Sequence, residues 1–115
     1  MSLKSTTIDD GKAVVLEPKG SLIGGAEIDE LKEKLYALRT SDIVKVILDF
    51  AGVTYLNSSA IGVLVVAHNA FKEKKGKLIL CNVNKSIDNI FLVTKLTSLL
   101  TVEDKREDAI FALGK

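Results

Sequence analysis

Residues 43–75 constrain this chain more than any other stretch. A hydrophobic run, Ile43-Val44-Lys45-Val46-Ile47-Leu48, passes through Asp49-Phe50-Ala51-Gly52-Val53-Thr54-Tyr55-Leu56 to Asn57-Ser58-Ser59-Ala60-Ile61-Gly62. An apolar run of this length between polar segments reads as a strand buried in a sheet. Beyond Ser58 the apolar residues recur at helical spacing, with Ile61, Leu64, Val65, His68 and Phe71 on one stripe. The stretch therefore predicts a strand over Ile43–Leu48, a loop, and a helix over about Ser58 to Lys74 whose first turn carries two serines. Gly76 suits the C-cap of that helix.

The flanking sequence repeats the alternation. Ser5–Asp9 reads as a short strand, Asp10-Gly11 as a hairpin turn, and Lys12–Leu16 as the return strand. Pro18 cannot donate to a ladder, so that strand ends there or lies at an edge. Gly20–Gly25 reads as a glycine-containing loop. A helix over about Ala26–Leu38 turns Ile28, Leu31, Leu35 and Leu38 inward. Lys77–Val83 is a further strand, and Asn82–Ser86 a turn leading to a helix over Ser86–Val93 with Ile87, Ile90 and Phe91 inward. Leu99–Val102 is a last short strand. Glu103-Asp104 opens a final helix with Ala109, Ile110 and Leu113 on its buried side. Alternation of this kind after a hairpin predicts an α/β fold: one domain over residues 1–115, with a mixed, mostly parallel sheet and helices largely on one side.

Several function classes are disfavoured by composition. The formal net charge of +1 creates no field for nucleic acid or an anionic membrane. Lys72, Lys74, Lys75 and Lys77 are interrupted by Glu73 and read as a solvated helix end. The one cysteine, Cys81, can form no internal disulfide or multi-cysteine metal site, and its apolar neighbours make it a buried strand residue. The N-terminus lacks the apolar core of a signal peptide, and no apolar run approaches the ~20 residues needed to span a bilayer. A cytoplasmic monomer without metal or cofactor is expected. The monomer expectation rests on the lack of an unexplained apolar surface stripe. The glycines at 20, 24 and 25 fit neither a P-loop nor the dinucleotide fingerprint, so a small nucleotide-binding enzyme is the weakest reading.

Ser58 is the residue of most interest. Asn57 and Ser58 are both N-cap types, and the plain reading of Ser58 and Ser59 is helix capping. A helix start also presents unpaired N–H groups and partial positive charge, which suit a phosphate carried by the serine itself. Nucleophilic catalysis is disfavoured. The single histidine, His68, lies ten residues later on the same helix, about 15 Å along its axis.

At these residues the chain resembles the STAS domains, and among them the stand-alone bacterial anti-sigma-factor antagonists. The resemblance spans essentially the whole chain. It is carried by Gly20-Ser21-Leu22-Ile23, by Asp49-Phe50, by Asn57-Ser58-Ser59-Ala60-Ile61-Gly62, and by Leu92-Val93-Thr94-Lys95-Leu96. It implies a binding module, not an enzyme. In such proteins a serine kinase that is itself the anti-sigma factor phosphorylates the serine of the motif. The unphosphorylated antagonist sequesters that kinase and so frees a sigma factor, and a serine phosphatase resets the cycle. By motif position the target is Ser58, with Ser59 as the alternative. The implied docking surface comprises Leu22, Ile23, Gly24, Tyr55, Leu56, Asn57, Ser58, Ser59 and Ile61. The sequence departs from the family pattern in three places: Asn57 and Ile23 stand where acids are usual, and Ala60 replaces a glycine. The first two departures motivate an alternative, a constitutive STAS-type scaffold or subunit of a signalling or transporter complex without phospho-regulation.

Overall fold

The computed structural model describes residues 3–23 and 25–114. Strand β1 (Lys4–Ile8) turns through Asp9–Gly11 into β2 (Ala13–Glu17), and β3 (Lys19–Leu22) follows. Helix α1 (Gly25–Arg39) leads to β4 (Lys45–Asp49), β5 (Gly52–Leu56) and helix α2 (Ser58–Glu73). The chain continues as β6 (Lys77–Cys81), α3 (Lys85–Val93), β7 (Thr101–Glu103) and α4 (Arg106–Leu113). The main sheet has the order β1-β2-β4-β6-β7. Only β1 and β2 pair antiparallel; β2–β4, β4–β6 and β6–β7 are parallel. The apolar strand β4 is central, as its composition requires.

The side-chain alternation of the strands sorts the core into two layers. Val14, Leu16, Val46, Leu48, Leu78 and Leu80 face α1, α2 and α3, with Leu31, Leu35, Leu64, Phe71, Ile87 and Phe91 packed on them. Ala13, Val15, Ile47, Ile79 and Cys81 face the other way and are covered by Ala109 and Leu113 of α4. Three helices thus lie on one side and one on the other. Cys81 is fully buried, and burial pushes its thiol up to about 12, which leaves it unreactive as a thiolate source.

The structure corrects the sequence reading at four places. Gly20–Gly25 is not all loop: Lys19–Leu22 is a strand, paired parallel to β5 in a separate two-stranded sheet. The segment between Asp49 and Asn57 likewise contains a strand where a loop was expected. Ile110 is 43% exposed: Ala109 and Leu113, one turn apart, form the buried face of α4, and Ile110 lies about 100° round the helix from Ala109. Finally, Gly76 is not the left-handed residue that ends α2. Lys75 is, at φ 62°. The Lys75 amide donates to the Lys72 carbonyl and the Gly76 amide to the Phe71 carbonyl, so the two bonds of a Schellman cap are formed with lysine in the glycine position. Gly76 is needed for another reason: a Cβ there would stand 1.9 Å from the Val44 carbonyl oxygen.

Next to this cap, Lys74 ties α2 to the end of α1. Its ammonium donates to the carbonyls of Leu38, Arg39, Ser41 and Ile43 at 2.7–3.2 Å. It also lies 5.1 Å from the centre of the Phe71 ring.

On the α4 side, Asp49 is the one buried charged residue among the described residues, 4% exposed. Its Oδ1 accepts from the Ala51 amide and Asn82 Nδ2, each at 3.0 Å, and its Oδ2 from Arg106 Nε at 2.8 Å. Arg106 also reaches Glu17 at 2.7 Å. Burial pushes the Asp49 carboxyl upward, but the bonds from Asn82, Ala51 and Arg106, with the guanidinium charge, outweigh it and hold the group below its usual 3.8.

Three stability predictions follow from these contacts. Gly76→Ala should cost roughly 3 kcal/mol or prevent folding, because backbone must move to admit the methyl group. Lys75→Gly should instead gain about 0.5–1 kcal/mol by relieving the left-handed lysine. Urea unfolding of the two variants gives opposite signs at adjacent positions. For Asp49, the depressed folded-state pKa means its contribution is present above 3.8 and is lost as pH falls through the lower folded value. Asp49→Asn should therefore be less stable at neutral pH by about 1.5–3 kcal/mol, and the gap to the unsubstituted protein should shrink in strong acid. Urea midpoints across the acid range measure it.

Candidate functional site

The start of α2 is built by β3 and β5. These strands run side by side, Leu22 opposite Leu56, with a register shift between Gly20 and Ser21. Leu22 and Leu56 point inward, each 1% exposed, and anchor the ribbon in the core. They are not partner contacts; the expectation that they lie on the docking surface is corrected here. A strand side chain that seals the core under a two-stranded ribbon cannot also meet a second protein.

Asn57 follows the ribbon and caps the helix. Its Oδ1 accepts from the Ala60 amide at 3.0 Å. Its Nδ2 donates to the Ile23 carbonyl at 3.1 Å, and its backbone amide donates to the Leu22 carbonyl at 3.2 Å. One side chain therefore satisfies a helix terminus and fixes the segment after β3 beside it. An aspartate could supply the cap but not the donor to Ile23. This gives the amide a physical role in the position where the family pattern has an acid.

Because Asn57 is the N-cap, Ser58 and Ser59 are the first helical residues, and both are exposed. The Ser58 hydroxyl stays outside the capping bond. Ile23 and Tyr55, 54% and 48% exposed, flank the turn, and Ile61 is half-buried beneath it. The structure thus brings Ile23, Tyr55, Asn57, Ser58, Ser59 and Ile61 to one end of the molecule. Gly24, expected on this surface, lies outside the described residues. Ala60, where the family pattern has glycine, is fully buried and helical. His68 is far from these serines; its Nε2 lies 3.4 Å from Thr101 Oγ1.

One feature of the site was not read from the sequence. A groove of about 490 Å³ begins at Ser59 and runs between α1 and α2, past Ile28, Tyr36, Val63, Val66 and Ala67. Tyr36 and Val66 are each 63% exposed. The absence of an apolar surface stripe, on which the expectation of a monomer rests, therefore does not hold. The signal was present as Val63 and Val66 on a helix whose inward positions are Ala60, Leu64, Ala67 and Phe71. Those inward positions are displaced from the expected stripe, because Ala60, Ala67 and Ala70 take buried places on α2.

Among the described residues no helix is long and apolar enough to cross a membrane. The candidate anti-sigma factor antagonist BtrV of Bordetella bronchiseptica is 22% identical over 106 residues, covering 92% of this chain and 91% of BtrV. Among solved structures, a candidate anti-sigma factor antagonist from Thermotoga maritima superposes with a TM-score of 0.87 at 19% identity, over 98% of this chain and 95% of that one. The Bacillus cell fate determinant SpoIIAA in its phosphorylated form superposes with a TM-score of 0.75 at 17% identity, over 96% of this chain and 98% of that one. At such identities the superpositions establish the fold. The profile of the STAS domain family matches residues 4–109, nearly the full length of the described structure, and the chain belongs to that family.

Proposed function

We propose that this protein is an anti-sigma-factor antagonist that works as a phosphorylation-switched binding module and not as an enzyme. In this reading its unphosphorylated form sequesters a serine kinase that is itself an anti-sigma factor, and so releases a sigma factor in the cytoplasm. Phosphorylation of Ser58 ends the complex, and a serine phosphatase restores it. Ser59 is the alternative acceptor.

The observation that carries this reading is the exposed Ser58 hydroxyl at the first turn of α2, relieved of capping by Asn57. A kinase can reach such a group, and the helix start tolerates the added charge. The likeness to an antagonist solved in its phosphorylated form supports it. The docking face consists of Ile23, Tyr55, Asn57, Ser58, Ser59 and the exposed part of Ile61. The groove beyond Ser59 adds apolar area on the same side.

Incubation with the cognate kinase and ATP should add one phosphate at Ser58 by mass spectrometry, and Ser58→Ala should abolish it. Ser58→Asp should weaken kinase binding at least about tenfold, the effect of ~1.4 kcal/mol of repulsion. Modification elsewhere, or unchanged binding by Ser58→Asp, would favour a constitutive scaffold. Asn57→Asp separates the two roles of this residue. It keeps the cap but sets a carboxylate against the Ile23 carbonyl, and should cost about 1–2 kcal/mol in thermal or urea unfolding.

A further inference from the structure

The end of α1, the connection to β4 and the end of α2 meet at one ammonium group. Lys74 Nζ has the carbonyl oxygens of Ile43, Arg39, Ser41 and Leu38 around it at 2.7, 2.9, 2.9 and 3.2 Å. The centre of the Phe71 ring is 5.1 Å away. Leu38 and Arg39 belong to the last turn of α1, where carbonyls lack helical partners and the dipole is negative. The Leu38 carbonyl also accepts from the Ser41 amide at 3.1 Å and the Ser41 hydroxyl at 2.7 Å, so it is the weakest of the four toward Lys74.

An ammonium has three N–H groups. Four carbonyls and a ring face exceed what three directional bonds can serve, so the arrangement answers to charge as well as to direction. Carbonyl oxygens gathered around a monovalent ion replace its hydration shell in the same way in potassium-selective pores. None of these four oxygens is a carboxylate, the ligand that divalent cations take. The chain thus surrounds a monovalent cation that it carries itself.

We propose that residues 38–43 form a monovalent-cation site, filled in cis by Lys74, that fixes the connection between α1 and β4 against α2. Arg39 and Phe71 also line the groove that begins at Ser59, so the same cation sets how closely the two helices approach there. Lysine is specified over arginine, because a planar guanidinium holds its donors in a fixed fork and cannot converge on four oxygens around one point.

Lys74→Ala removes the built-in cation and opens the site to one from solution. Urea unfolding in potassium, ethylammonium and tetramethylammonium chlorides at equal concentration reads the site out. In tetramethylammonium, which has no N–H and is too bulky for the cage, the folding equilibrium constant of Lys74→Ala should fall about thirtyfold below that of the unsubstituted protein, the loss of roughly one charge-assisted bond. Potassium or ethylammonium at about 0.5 M should restore about sixfold, as a site with a Kd of about 0.1 M gives. The unsubstituted protein, its cage filled, should not distinguish the three salts. In NMR titration of the variant, the amides of Thr40, Asp42 and Val44, which follow three of the carbonyls, should shift saturably while those of Ser58 and Ser59 stay in place. Recovery with ethylammonium alone assigns the cage to N–H donors, and recovery with both cations assigns it to charge and size. If Lys74→Ala does not fold in tetramethylammonium, folding regained in either other salt supports the site, and none regained overturns it. Lys74→Arg should remain about tenfold less stable than the unsubstituted protein in every salt. An equal response of Lys74→Ala to all three salts, the same cation preference in the unsubstituted protein, or full stability of Lys74→Arg would each overturn the proposal.

Discussion

The fold is held together at one buried carboxylate. Asp49 ends the central strand β4, and its oxygens accept from Ala51 on the way into β5, from Asn82 just after β6, and from Arg106 at the start of α4. Through Arg106 it is also linked to Glu17 at the end of β2. The ends of three neighbouring parallel strands therefore converge on one ion network. Burying a carboxylate is costly, and the cost is offset here only because both oxygens are fully used. The consequence reaches the start of α2. The bond to the Ala51 amide sets the turn that directs the chain from the main sheet into β5, and β5 delivers Asn57 and Ser58.

A second constraint acts where β5 meets β3. Two strands of four and five residues make a ribbon that would be marginal alone. It persists because Leu22, Val53 and Leu56 are buried in the main core. Asn84 also donates to the carbonyls of Val53 and Thr54 from the cap of α3. The ribbon is thus part of the core on one side and the base of the exposed surface around Ser58 on the other. Between the buried Val53 and Leu56, Thr54 and Tyr55 are both exposed.

Much of this was legible in the sequence because it depends on local pattern. The apolar run at 43–48, the helical spacing of Leu31, Leu35 and Leu38, and the turn at Asp10-Gly11 each reflect short-range physics. The ribbon was not legible. Its pairing joins residues more than thirty positions apart, Gly20 sits at φ 77°, and the shift beside Ser21 breaks the alternation that would reveal a strand. Leu22 and Leu56 were placed on the docking surface by the resemblance, and nothing in the local pattern showed that the ribbon buries them. The Schellman cap misled for a similar reason. Glycine is the usual left-handed residue, yet here Gly76 answers to the carbonyl of Val44, a contact between distant segments. Ser58 itself was found by motif and helix position. What the motif could not supply was the donor bond from Asn57 to Ile23, which requires knowing that β3 lies alongside.

The division of labour between Asn57 and Ser58 bears on how a switch at this position would act. Were Ser58 the N-cap, a phosphate on its oxygen would alter the bond that starts α2 and so disturb the helix. With Asn57 as the cap, the Ala60 amide stays satisfied whatever happens at Ser58. The helix dipole further offsets the added charge. A phosphate there would alter the exposed face between Ile23 and Tyr55 while leaving the core beneath it intact. On this geometry a phosphate at Ser58 would act by electrostatic and steric rejection of whatever met that face, with no need for a second conformation of the domain.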